Sequence, residues 1–161
     1  MRAKCPDKQC NDSSYSWNFR GRRVSFVFLT KLISMEKLVI DKSVNTPLVV
    51  LDPAGRVEIK GVSISENSSN FFEPIVNWIE QYCASPQPQT HIDLAIEYMD
   101  SGSYGFFNVV MEKLNQLHIS GNSAVNAKWV YEEDDLDMEE YGQDLQRLYK
   151  FSVELIPAEI V

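Results

Sequence analysis

Histidine is nearly absent from this 161-residue chain, which has two, and neither stands in a nucleophile or metal motif. His91 opens a strand-like run. His118 closes a helix-like one, where a cation is welcome beside the helix C-terminus. Histidine acid–base catalysis therefore has little to build on. Glycine is sparse, with seven in all, and Gly102 and Gly105 are wrongly spaced for a Rossmann or Walker phosphate loop. The three cysteines are an odd number without a framework, which argues for a reducing cytoplasm rather than a disulfide scaffold. Cys5 and Cys10 form at most half a metal site, because no second Cys/His pair follows at ligand spacing. No apolar run approaches bilayer-spanning length. Neither a metal nor a cofactor is expected.

Positive charge is scarce outside the N-terminal segment. Residues 1–34 hold seven Lys/Arg against two Asp/Glu, a net +5, while residues 35–161 hold eight against 21, a net −13. An acidic body repels phosphate backbones and anionic lipid, so nucleic acid and membrane are poor partners and basic protein surfaces are better ones. The first 34 residues lack clear periodicity. Their VSFVFLTKLI run faintly resembles a signal peptide, but Lys31 interrupts it and no small-residue cleavage site follows. Met35 opens the strand-like patterning. The expectation is that 1–34 is a disordered leader or a mis-assigned start and that 35–161 is a single domain.

Within 35–161 the apolar periods alternate between two and 3.6. Leu48–Leu51, the turn Asp52-Pro53-Ala54-Gly55 and the alternating Arg56–Lys60 predict a β-hairpin. Phe71, Phe72, Ile75, Val76, Ile79 and Cys83 predict a helix that begins near Asn70, because Pro74 suits only a first turn. Residues 91–99 alternate, with Ile92, Leu94, Ile96 and Tyr98 on one face. Phe106, Phe107, Val110, Leu114 and Leu117 predict a second helix. Val125–Tyr131 forms a strand, an acidic stretch leads into a third helix before Tyr149, and Phe151–Leu155 is the last strand. The fold class is α/β: a mixed sheet of about five strands with an N-terminal hairpin and three helices, in the order β-β-α-β-α-β-α-β.

Two stretches remain for chemistry. EEDDLDMEE (132–140) packs seven acids into nine residues without the alternation or central glycine of a calcium loop. It reads as an acidic helix start favoured by the helix dipole, or as a docking surface for a basic partner. Asp100-Ser101-Gly102-Ser103 lies where a strand meets a helix. The plain role of its hydroxyls is capping. A small exposed hydroxyl beside a glycine is also accessible to a kinase, whose phosphate adds about −1.5 to −2 charges. No convincing Asp/Glu acid–base pair points to an enzyme.

Three segments carry a family resemblance: GVSISENSSNFFEPIVNWIEQY (61–82), IDLAIEYMDSGS (92–103) and VNAKWVYEEDDLDMEEYGQDL (125–145). ENS, followed by two large apolars and then Trp78, is one signature. An acidic strand running through Tyr98 into a small polar turn is another. Over nearly all of 35–161 the chain resembles the SiaC family, bacterial biofilm-regulatory phosphoproteins whose fold is similar to STAS domains, the anti-sigma-factor antagonists. The resemblance implies a non-enzymatic switch. A Ser/Thr protein kinase phosphorylates a hydroxyl in the turn, a PP2C-type phosphatase reverses it, and the unphosphorylated form activates a diguanylate cyclase or other effector, so governing cyclic di-GMP. The family pattern Asn-Thr-Ser-Ser falls on Asp100-Ser101-Gly102-Ser103, which puts the acceptor at Ser101, with Ser103 the second hydroxyl. Glu97, Asp100, Gly102, Ser103 and Tyr104 would meet the partner. The alternative is a constitutive binding module that uses the acidic helix, with Ser101 only a helix cap.

Overall fold

Asp52 and Gly55 close the hairpin from which the sheet grows. In the computed structural model, which describes residues 35–64 and 68–158 together with two strands nearer the N-terminus, Ala54 N donates to Asp52 Oδ1 (2.9 Å) and Gly55 N to Asp52 O (2.9 Å). Gly55 takes φ +94°, the left-handed conformation that a three-residue hairpin loop needs and a side chain resists. This turn joins β4 (Leu48–Asp52) to β5 (Arg56–Ser63) in antiparallel register. The two strands nearer the N-terminus, β1 (Ser16–Phe19) and β2 (Arg22–Ser25), pair antiparallel in a separate unit. No element was expected there, since four-residue strands are too short for their alternation to register. The expectation of a leader or mis-assigned start concerns residues that otherwise lie outside those described.

The main sheet has six strands in the order β3-β4-β5-β6-β7-β8, one more than the sequence predicts. The additional edge strand, β3 (Leu38–Ile40), spans three residues and pairs antiparallel with β4. A run that short carries no readable period. It is tied down from outside the sheet, because Trp78 Nε1 donates to Glu36 O at 2.8 Å. The parallel strands β5, β6 (Gln89–Met99), β7 (Ala124–Glu132) and β8 (Ser152–Ala158) follow in sequence order. They are linked by α1 (Ser68–Ala84), α2 (Ser101–Ile119) and α3 (Leu136–Leu148).

All three helices cover one face of the sheet. Val57, Ile59, Ile92, Leu94, Ile96, Val125, Ala127 and Trp129 point into a single core with Phe72, Ile75 and Ile79 of α1, Phe107, Met111 and Leu114 of α2 and Leu145 of α3. Gly142 of α3 sits so close to Trp129 and Leu155 that an added Cβ would lie 2.6 Å from each side chain. The opposite face carries charge pairs, among them Lys60–Glu58 (2.7 Å) and Arg56–Asp93 (3.3 Å). The Lys60 ammonium holds the Glu58 carboxyl below its ordinary range.

Two helix starts differ from expectation. α1 begins at Ser68 and takes Pro74 in its second turn. The proline removes the bond to the carbonyl of Asn70, at a place where Asn70, Glu73 and Pro74 are all exposed to solvent. α2 begins at Ser101, directly after the strand. Gly102 and Gly105 are therefore helical residues, and the DSGS stretch is the cap and first turn of a helix rather than a linker.

Candidate functional site

Parallel strands place all their carboxyl ends on one edge of the sheet, and here the N-termini of α1, α2 and α3 start from that edge. Helix N-termini leave backbone N–H groups without intrahelical partners and carry the positive end of the dipole, so the edge suits anions. The antiparallel β4 brings the 41–47 connection to the same edge. Ile64 N donates to Asn45 O (2.8 Å), and Asp100 N donates to Ser63 O (3.0 Å), which stitches three segments together.

The end of β6 is shaped by a bulge. Gly61 pairs with Ile96, but Val62 pairs with Tyr98, so Glu97 is the extra residue. One extra residue reverses which face each following side chain takes. Tyr98, expected beside Ile96 on the buried face, is turned out and 52% exposed, while Met99 becomes the half-buried partner of Ser63.

Asp100 is the N-cap of α2. Its Oδ1 accepts from Ser103 N at 2.7 Å, and its carbonyl accepts the first helical bond from Tyr104 N at 2.9 Å. This corrects the alternative in which Ser101 caps: an aspartate at N-cap already satisfies the N3 donor, leaving Ser101 as the first helical residue. The two hydroxyls of the turn have opposite environments. Ser101 is exposed, whereas Ser103 is fully buried.

Behind the turn lies an aromatic group. The Tyr141 ring centroid is 5.1 Å from Trp129, 5.4 Å from Tyr104 and 6.2 Å from Phe107. The hydroxyls of Ser63, Ser103 and Tyr141 are buried without a hydrogen-bond partner among the described residues. Burial first, and then the neighbouring Tyr104, pushes the Tyr141 phenol well above its ordinary range. Burial, with Glu112 second, pushes Tyr149 up to about 12.

The acidic run follows β7 on the same edge. Asp135 caps α3 by accepting from Met138 N at 3.0 Å, and Asp137 and Glu139 lie in the first turn, so the helix start accounts for part of this charge. Leu136, set among these acids, is 72% exposed.

The predicted site residues thus converge. Glu97, Ser101, Gly102 and Tyr104 are exposed, Asp100 is half-buried, and Ser103 is covered. Ile64, Leu136 and Tyr141 were not anticipated. Leu136 had a signal, as the one large aliphatic within the acidic run. Ile64 and Tyr141 had none, since only the sheet order and helix packing bring them to the turn.

Fold and edge together define an α/β module that carries an exposed hydroxyl at the start of a helix. Residues 40–158 match the model of the SiaC family of regulatory phosphoproteins, and the chain belongs to that family. It is a regulatory protein and not itself an enzyme. An uncharacterized protein of Pseudomonas aeruginosa strain UCBPP-PA14 is 29% identical over 99 residues, which cover 61% of this chain and 78% of that one. The crystal structure of apo-SiaC from P. aeruginosa superposes with a TM-score of 0.68 at 24% identity, over 76% of this chain and 99% of that one. SiaC in its complex with the diguanylate cyclase SiaD, which it activates, superposes with a TM-score of 0.70 at 24% identity, over 75% and 99%.

Proposed function

We propose that this chain is a phosphorylation-controlled activator of a diguanylate cyclase, with Ser101 as the acceptor. A Ser/Thr protein kinase and a PP2C-type phosphatase set its state in the cytoplasm, and the unphosphorylated form engages the effector. The observation that carries this reading is the contrast within one turn: Ser101 is exposed at the first residue of α2, while Ser103 is fully buried. A kinase needs the first kind of hydroxyl.

The energetics favour a switch. A phosphate at the α2 N-terminus is tolerated by the fold, because the first-turn N–H groups and the dipole favour an anion. A partner packed over the turn would meet a dianion among Glu97 and Asp100 instead. Disrupting one such buried contact typically costs about 2–5 kcal/mol, or roughly 30-fold or more in affinity.

The test is incubation with a Ser/Thr kinase encoded beside the gene, followed by mass-spectrometric mapping. One phosphate on Ser101, absent in Ser101→Ala, is expected, together with loss of binding to the neighbouring diguanylate cyclase. Phosphate on Ser103 alone, or none on the turn, would overturn the assignment.

A further inference from the structure

Large hydrophobic side chains that face solvent are unevenly placed. Nine are exposed among the described residues, and five of them, Val44, Ile64, Tyr98, Tyr104 and Leu136, lie on the carboxyl edge of the sheet. The segments that carry them lie side by side, so they make a strip along that edge. Val44 precedes Asn45, whose carbonyl holds Ile64 N (2.8 Å), and Val62, two residues before Ile64, pairs with Tyr98. Tyr104 touches Tyr141 of α3, the helix whose first residue is Leu136. Singly exposed apolar residues need no explanation, but a cluster rimmed by polar groups marks an interaction surface.

The rim has one sign. Glu97 and Asp100 stand beside the turn, and Glu132, Glu133, Asp134 and Asp137 stand around Leu136. In the connecting segments 41–47, 100 and 133–135, Lys42 is the sole basic residue.

We propose that this strip, reaching from the 41–47 connection across the Ser101 turn to the start of α3, is one docking surface for a protein partner that presents an apolar anchor flanked by Lys or Arg. It deepens the reading of Ser101 as the control point by naming what lies on either side. The acids steer a basic partner and set its orientation, and the apolar strip supplies the desolvated centre. Phosphate on Ser101 would lie mid-strip, where the apolar anchor must seat.

The test uses a 14-residue amphipathic Leu/Arg peptide titrated into the full chain, with amide shifts followed by NMR and Leu/Glu and Ser/Arg peptides as controls. Expected are shifts confined to residues near 44, 64, 98–104 and 136, with the Leu/Glu and Ser/Arg peptides binding far more weakly. Ile64→Ser and Leu136→Ser should each weaken the Leu/Arg peptide about tenfold. Both side chains are exposed, so folding is spared, and Leu148→Ser, exposed at the far end of α3, should change nothing. Shifts centred elsewhere, equal binding of the Leu/Glu peptide, or an equal effect of Leu148→Ser would overturn the proposal. The same variants are then tested against the cyclase. A wild-type chain that binds the Leu/Arg peptide at the strip but not the cyclase would refute the effector reading and leave the surface standing.

Discussion

The two edges of the main sheet are built on opposite terms. At the amino edge of the parallel strands, the buried hydroxyls of Tyr82, Thr90 and Ser123 are engaged with one another. Tyr82 Oη meets Thr90 Oγ1 at 2.8 Å, Thr90 Oγ1 meets Ser123 Oγ at 2.7 Å, and Gln87 N donates to Tyr82 Oη at 3.3 Å. Gly55 O accepts from His91 N at 2.8 Å, locking the hairpin turn against β6. At the carboxyl edge the hydroxyls of Ser63, Ser103 and Tyr141 are buried without partners among the described residues, β6 bulges, and apolar side chains face water. Buried polar groups are normally satisfied, and departures concentrate where a protein acts rather than where it is merely held together. One edge secures the fold, and the other is the one at which the proposed reading places recognition.

This contrast can be broken most forcefully at the amino edge. Gly55→Ala combines a strained φ with a Cβ driven onto the Gln89 carbonyl oxygen, and is expected to cost about 3 kcal/mol in urea unfolding. A loss below about 1 kcal/mol would show that this edge yields as readily as the other. Thr90→Val ranks next. It removes the shared partner of Tyr82 and Ser123, at about 2 kcal/mol, without altering the Ser101 turn. Unchanged stability would mean that the hydroxyl chain is incidental.

The smallest effect is at the carboxyl edge and has the opposite sign. Tyr141→Phe deletes a buried hydroxyl that has no partner among the described residues, so stability at neutral pH should stay level or rise by up to about 1 kcal/mol. The same residue governs an alkaline response. Its folded-state pKa is raised above the unfolded value of about 10, so its contribution is complete below that pH and is lost as pH rises toward the folded value. Tyr149, pushed up to about 12, acts in the same direction between about pH 10 and 12. Thermal melts across that range should fall for the parent chain and fall less for Tyr141→Phe. Equal slopes would place the alkaline loss elsewhere.

Much of this architecture is legible from local pattern. The DPAG turn, the alternation of 91–96 and the apolar stripe of α2 each encode their element in neighbouring residues, because strand and helix periods are local properties. The misreadings come from non-local causes. Tyr98 leaves the buried face because Gly61 and Val62 of a different strand set the bulge. Leu38–Ile40 becomes a strand because β4 offers an open edge and Trp78 holds the preceding backbone. α2 starts at Ser101 because Asp100 caps it, a signal that two serines nearby obscured.

For the site, the residue types and their adjacency along the chain were readable, including two serines behind an acid where a strand meets a helix. The sequence by itself determined the chemistry available: a hydroxyl acceptor, an excess of carboxylates, and too few histidines and cysteines to support other chemistry. Only the tertiary structure decided which serine faces water, that Ile64 and Leu136 join Tyr104 on one edge, and that Tyr141 stands behind the turn. Those outcomes depend on strand order and helix packing, which bring together residues tens of positions apart, and no local period records such meetings.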